Sequence, residues 1–240
     1  MRTLWLIPVY RHARPLAALL DRLAGSGCPV LVVDDGNDPP LKLPEGVDSI
    51  RFGRNRGKGA AVMAGLRWAA GRGFTHLVQI DADGQHDLED ARAMVETARS
   101  VPDALVTGFP VYDASAPSSR VSGRKVTRLF LWLETGRRDE DGLCGCRVYP
   151  VSRSLALLEL VRERRMGFDV EFPVRWLWSG WPLVTRRVHV TYPAGGYSNF
   201  RMVRDNAAFF LLHARLCFLR LFRLYRRAQE GGEKNETVSI

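Results

Sequence analysis

The chain is predicted to fold as α/β, a doubly wound, mostly parallel sheet of Rossmann-like type, and three observations carry that expectation. Short apolar runs suited to buried strands alternate with segments of helical period through the first half of the sequence. Glycine and proline punctuate the changes between them. Acidic residues follow several of the runs, at the strand ends where open α/β sheets place their ligands. Alternation of this kind calls for a parallel sheet covered on both faces.

Taken in order, residues 3–9 (Thr-Leu-Trp-Leu-Ile-Pro-Val) are apolar enough for a buried strand. Pro15 opens a helical pattern with Leu16, Leu19, Leu20 and Leu23 on one face, stopped by Gly25 and Gly27. Residues 29–33 are a second buried strand, ending in Asp34-Asp35-Gly36-Asn37-Asp38 and then Pro39-Pro40. Residues 49–52 read as a short third strand and 60–70 as a helix containing Met63, Leu66 and Trp68. The central strand is 77–80, followed by a helix over 87–100 and a strand over 104–109. The second half departs from simple alternation, with helices over 118–134 and from 206, and a strand over 184–192.

With 240 residues and 46% hydrophobic content, the chain can build one sizeable core, so a single domain with an appendage is expected. A formal charge of +9 favours anionic partners. The cations are dispersed and no nucleic-acid motif is present, which argues against a nucleic-acid polymer. Cys28, Cys144, Cys146 and Cys217 lack zinc-cluster spacing and read as free thiols. The five histidines form no metal pattern; His86 and His213 read as solvent-facing or structural. The N-terminus lacks the longer apolar core of a secretory signal, so a cytoplasmic location is expected.

Chemistry is expected first after the central strand, where the apolar run meets Asp81-Ala82-Asp83-Gly84-Gln85-His86. Carboxylates alternating along an extended backbone can point the same way, and hard oxygen ligands suit Mg²⁺ or Mn²⁺ bridging a diphosphate. The competing account makes Asp81 and Asp83 turn residues and Asp87 the cap of the next helix. Asp34-Asp35 poses the same choice, between turning the chain and accepting hydrogen bonds from a base N–H or ribose hydroxyl. Arg54 to Gly59 places two glycines and three cations at a helix start, where backbone N–H groups, dipole and charge favour an anion. It is not a Walker loop, since the spacing and the Lys-Ser/Thr ending are missing, and a solvated basic turn is the alternative.

Together, Pro8-Val9-Tyr10, Val33-Asp34-Asp35-Gly36-Asn37, Asn55-Arg56-Gly57-Lys58-Gly59-Ala60 and Asp81-Ala82-Asp83-Gly84-Gln85-His86 stand in the order, and near the spacing, of inverting family 2 glycosyltransferases with the GT-A fold. The chain resembles the dolichyl- or polyprenyl-phosphate sugar synthase branch over about residues 3 to 205. The resemblance implies that Pro8 and Asp35 lie beside the nucleotide base and Asp81 near the ribose and diphosphate, with Tyr10 and Lys58 in the same nucleotide-sugar site. It also implies a metal, Mg²⁺ or Mn²⁺, held by Asp81, Asp83 and Gln85.

In the second half, residues 118–134 carry Arg120, Arg124, Lys125 and Arg128 beside Leu129, Phe130, Leu131, Trp132 and Leu133. Such a helix can lie at a membrane surface or pack on the sheet with a solvated basic face; the resemblance favours acceptor contact. Residues 141–150 resemble the relatives' Ser-Gly-Phe-Arg segment with Cys144 and Cys146 in place of Ser and Phe. Arg147 is then a catalytic candidate for phosphate or leaving-group contact, against a structural Arg closing a β-turn. Phe168-Asp169-Val170-Glu171 reads as a helix start with Asp169 as N-cap, and also resembles the family's Glu-Asp segment, with Phe168 in the Glu position. If the acceptor is a hydroxyl, Asp169 is the expected base; a phosphate acceptor is already anionic and needs none. Ser198 and Arg201, in the glycine-rich stretch resembling the relatives' Gly-x-Ser loop, are candidates for diphosphate or acceptor contact, unless that stretch is simply a flexible loop.

From Asn206 the chain is apolar but interrupted by His213, Arg215, Arg220 and Arg223 too often for a spanning helix. An interfacial helix fits, although packing on a partner subunit would leave the same pattern. The expected organisation is therefore a GT-A domain over 1–205, an amphipathic membrane-surface helix over 206–228 and a disordered tail over 229–240. The expected activity is metal-dependent, inverting transfer from a UDP- or GDP-sugar to a polyprenyl phosphate or other lipid-linked acceptor, peripherally at the inner face of the cytoplasmic membrane. The alternatives are transfer to a hydroxyl of an acyl or glycolipid chain, and a membrane-surface nucleotide-binding module without turnover.

Overall fold

The chain's strands assemble into a sheet whose order reverses at its centre, and that reversal makes the site. The structure is a computed structural model and describes residues 1–25, 27–113, 116, 118–138, 141–192 and 202–236. Strands β1 (Thr3–Val9), β2 (Val30–Asp34), β3 (Asp48–Arg51), β4 (His76–Gln79), β5 (Leu105–Tyr112), β6 (Arg147–Pro150) and β7 (Leu183–Val190) lie in the order β3-β2-β1-β4-β6-β5-β7. All pairings are parallel except those of β6, which runs antiparallel to both β4 and β5. Because β6 runs backwards, it starts at the edge where its neighbours end, with Arg147 paired to Gln79. The loop before β6 is thereby delivered to the carboxyl edge.

Side-chain alternation splits the core in two, as a half-turn per residue requires. Leu4 and Leu6 of β1 face one side with α2 (Lys58–Gly71), α5 (Val151–Leu158) and α6 (Phe168–Trp178). Trp5, Ile7 and Val9 face the other, against α1 (Ala13–Ala24) and α3 (Leu88–Ser100). A further cluster joins Leu131 of α4 (Ser118–Thr135), Val170 and Val174 of α6, and Phe209, Leu212 and Leu216 of α7 (Met202–Glu236). α2 is apolar nearly all round and built of small residues; a Cβ on Gly65 would sit 2.7 Å from Leu6 Cδ1, so the helix can lie directly on β1.

Several expectations are corrected. The antiparallel β6 and the helix α5 were not anticipated, because a four-residue strand runs directly into a two-turn helix at Pro150-Val151, and each is too short for its period to stand out in the sequence. The N-cap of α6 is Gly167, so Asp169 lies inside the first turn. α7 begins at Met202, inside the stretch assigned to the globular domain, and runs unbroken to Glu236. The tail expected over 229–240 enters the described residues as the last turns of α7, to Glu236, and residues 237–240 lie outside them.

The aromatic ladder Tyr149, Phe168, Phe172 and Trp176 fastens α6 to the sheet, with ring centroids 5.2 to 6.1 Å apart along the chain of contacts. Phe172 is fully buried at its centre. Phe172→Ala is expected to lower the unfolding free energy by about 3–5 kcal/mol in urea titrations.

Candidate active site

After β1 the chain turns to β2 and β3 on one side, then crosses back through α2 to β4 on the other. The carboxyl ends of β1 and β4 are left flanking a crevice, the usual ligand position in such sheets. A cleft of about 880 Å³ opens there. Pro8, Tyr10, Asp35, Lys58, Asp81, Asp83 and Gln85 all line it. Ser198 and Arg201 lie outside the described residues.

At one end of the cleft, the two acids after β2 divide their work. Asp34 faces inward: its Oδ1 accepts from the Asn37 N–H (2.8 Å) and Nδ2 (2.6 Å), and its Oδ2 from the Leu41 N–H (3.2 Å). Asn37 in turn reaches the loop after β1, accepting from the Arg11 N–H at 2.6 Å. Asp35 faces the cleft and organises the turn before α2, accepting from Arg56 N–H (2.6 Å), Gly57 N–H (2.9 Å) and Asn55 Nδ2 (2.8 Å). Burial nonetheless pushes its carboxyl above the ordinary value, against those bonds. Oδ1 accepts only the Arg56 N–H among these, which leaves it acceptor capacity. The expected anion cradle at the helix start is different in kind: the Ala60 N–H donates to Arg164 O at 2.8 Å, so a protein carbonyl caps α2. The charge offered to a ligand there is the Lys58 side chain.

Lys58 is the centre of the site. Its ammonium lies 2.8 and 2.9 Å from the two oxygens of Asp81 and 2.7 Å from Asp169 Oδ2. Burial works to lower the lysine, yet the two carboxylates hold it above its ordinary range. Burial would likewise raise Asp81, but Lys58 holds it below the usual carboxylate value. Asp83 is raised by burial and by the charge of Asp81, against the pull of His86 and Lys58. Its Oδ1 accepts the Gln85 N–H at 3.1 Å.

A chain of contacts sets Asp81 in place. Tyr149 O–H donates to Gln79 Oε1 at 2.8 Å, and Gln79 Nε2 donates to Gly145 O at 3.3 Å. Gly145 lies against the Asp81 carboxylate so closely that a Cβ there would meet Asp81 Oδ2 at 1.8 Å.

Arg147 requires a correction. It is fully buried, donating from Nη2 to Gly142 O (3.0 Å) and Asp169 O (2.6 Å), with Nη1 3.9 Å from Asp169 Oδ1. Having no exposed surface, it cannot meet a phosphate as expected; it closes the turn before β6 and positions Asp169. Asp169 itself is 2% exposed and lies behind Lys58. Its neighbour Glu171 accepts from the Arg162 and Glu163 N–H groups at 2.8 Å each, pinning to α6 the loop that walls the cleft.

Other residues at the cleft were not singled out as site residues. His86 is buried and faces the cleft, where burial lowers its basicity, rather than facing solvent. Arg124 of α4 also lines it, paired with Asp141 and donating to Leu143 O at 3.3 Å. Arg162, Arg164 and Arg165 bring further positive charge. Only the run of basic residues in 118–128 hinted at one of these; the loop 162–165 carries no motif.

The residues present suit a divalent cation. Asp81, Asp83 and Gln85 supply hard oxygens from one loop, and the missing Cβ of Gly145 makes room for the Asp81 carboxylate. Among the described residues, no three His, Cys, Asp or Glu side chains group to hold a metal by themselves. A cation here would need the Gln85 amide and oxygens of a ligand.

Residues 5–152 match the family described as Glycosyl transferase family 2. An undecaprenyl-phosphate mannosyltransferase of Micrococcus luteus is 29% identical over 189 residues, 73% of this chain and 77% of that protein. A polyprenol monophosphomannose synthase of Mycolicibacterium smegmatis is 31% identical over 131 residues, 45% of this chain but only 49% of its own length. Among solved structures, glucosyl-3-phosphoglycerate synthase from Mycobacterium tuberculosis in complex with Mn²⁺ and UDP-glucose superposes with a TM-score of 0.64 at 14% identity, covering 88% of this chain and 75% of that one. Mannosyl-3-phosphoglycerate synthase from Rubrobacter xylanophilus gives 0.61 at 16%, covering 94% and 76%. At these identities the structural likeness is one of fold.

Gly145→Ala, which would drive a Cβ into the Asp81 carboxylate, is expected to lower the unfolding free energy by about 1–3 kcal/mol in urea titrations.

Proposed function

Because this chain belongs to glycosyl transferase family 2 and is a glycosyltransferase, we propose that it transfers a sugar, with inversion, from a nucleoside-diphosphate sugar to the phosphate of a polyprenyl lipid. The relatives named for polyprenyl acceptors support the acceptor class. The observation that carries the reading is the cleft's composition from end to end. Asp35 stands at one end to accept a base N–H, the acids and Lys58 stand at the middle, and α4 and α7 flank the mouth through Arg124, Ala208 and Phe209.

In this reading Asp81, Asp83 and Gln85 hold Mg²⁺ or Mn²⁺. Such a cation, when bound, supplies Lewis-acid neutralisation of the departing diphosphate. Lys58 adds positive charge beside it, and the half-buried Arg124 and exposed Arg165 present cations toward the acceptor and nucleoside ends. Asp169, buried and already paired with Lys58, suits a fixed counter-charge better than a proton acceptor. That favours a phosphate acceptor, whose attacking oxygen arrives ionised.

The helices at the mouth fit a lipid surface. α7 leaves Phe210, Leu211, Phe218, Leu221 and Phe222 exposed on one side, and α4 leaves Val126, Leu129 and Leu133 exposed. In α4 the cation Arg124 points into the cleft while Leu129 is 54% exposed, so apolar side chains share the outer face with Lys125. No helix of the described residues is long and apolar enough to cross a membrane. Arg138 over Trp132 and Arg223 over Trp178 rim the patch with positive charge, so the enzyme would lie peripherally on the anionic cytoplasmic leaflet.

The activity test is incubation with undecaprenyl phosphate and a panel of UDP- and GDP-sugars, followed by mass spectrometry and anomeric analysis of the lipids. One glycosyl-phosphate lipid of inverted configuration is expected, with Asp83→Ala at least about a hundredfold slower; a retained anomer, or glycosylation of hydroxyl lipids alone, overturns the reading. Cosedimentation tests the surface: Phe218→Glu with Leu221→Glu is expected to abolish binding to vesicles containing anionic lipid while leaving UDP binding intact.

A further inference from the structure

The ammonium of Lys58 sits where it satisfies both oxygens of Asp81, the carboxylate that the proposed function gives to the cation. Its other partner, Asp169, is buried and held from behind by Arg147. Lys58 therefore has a second anion to rest on when Asp81 turns away. We propose that Lys58 is an internal stand-in for the metal: it keeps Asp81 neutralised until a nucleoside diphosphate arrives, so the cation binds with the nucleotide and only weakly before it. This rests on the proposed donor class.

The argument is one of charge and ligand number. Two buried carboxylates close to one another need a compensating cation. Lys58 supplies one positive charge to Asp81 and Asp169, and Asp83 adds a third carboxylate beside them. A free divalent ion must compete with the ammonium for Asp81 and, among the described residues, would gain Asp83 and the Gln85 amide. Small divalent ions bound through one or two carboxylates ordinarily complete their shell with substrate phosphates. The diphosphate changes the balance twice, by adding oxygens for the cation and by offering Lys58 an alternative anion. Lys58 can swing because its ammonium terminates a flexible four-carbon stem. It is a positioning residue for the metal carboxylate as well as a donor contact.

The test is Mn²⁺ binding to the purified full chain, read from the free-ion electron paramagnetic resonance signal, without nucleotide and with saturating UDP or GDP. Wild type is expected to bind Mn²⁺ on the order of tenfold or more tighter with nucleotide. Lys58→Met is expected to raise nucleotide-free Mn²⁺ affinity by about tenfold and to shrink the gain from nucleotide. Lys58→Arg, which keeps the charge, is expected to stay near wild type. Asp169→Asn moves the other way: with its second anion gone, Lys58 commits to Asp81 and nucleotide-free affinity falls. This variant decides the matter if Lys58→Met does not fold. The proposal is overturned if Mn²⁺ binds wild type equally with and without nucleotide, or if folded Lys58→Met gains no affinity, or if Asp169→Asn does not lose any. Failure of wild type to bind Mn²⁺ even with UDP or GDP would instead bring down the donor reading itself.

Discussion

The site depends on a cation shared between carboxylates that come from opposite ends of the chain's logic. Lys58 opens α2, Asp81 follows β4 and Asp169 sits in the first turn of α6, and the three meet within hydrogen-bonding distance in a buried setting. Asp169 is almost wholly buried and the Asp81 side chain is 25% exposed, so the shared ammonium offsets a desolvation cost that is severe for the first and partial for the second. The interaction thus joins the start of α2 and the end of β4 to α6. Everything around it serves to keep that geometry: Gly145 leaves space for Asp81, Gln79 and Tyr149 hold Gly145, and Arg147 braces Asp169.

Much of the donor half was legible before any coordinates. Each of its motifs follows a buried strand, and the rule that ligands gather beyond the carboxyl ends of such strands is enough to bring Pro8, Asp35 and Asp81 to one crevice. What alternation could not show was the sidedness of neighbours. Asp34 and Asp35 are alike in sequence, yet one knits two loops together and the other faces the cleft. Arg147 misled for a similar reason: a guanidinium near a predicted site suggests phosphate, whereas an antiparallel strand inserted between β4 and β5 draws it wholly into the interior. The loop 162–165 was invisible because its arginines belong to no motif and its backbone, which caps α2 and binds Glu171, leaves no signature in residue types.

The helices α4 and α7 show how charge and apolarity can be exchanged between inside and outside. Glu134 and His213 form a buried pair 2.7 Å apart between them, with Phe130 stacked on the imidazole. Burial raises the Glu134 carboxyl while the histidine works against that shift. Polar groups are thus spent on fixing the register of two helices whose leucines and phenylalanines look outward. Those outward leucines and phenylalanines form the face that the proposed function sets against a lipid surface.

The contact between the turn before α2 and the loop ahead of α6 has a broader meaning. A Cβ on Gly57 would come 2.6 Å from Arg164 O, and one on Gly59 would come 2.5 Å from Phe168 Cβ. No Cβ fits between the two segments at these points, so they meet backbone against backbone and side chain. A substitution at either glycine would therefore displace the other segment, and with it the start of the helix that carries Asp169. Sequence change on one wall of the cleft is in this way constrained by the other.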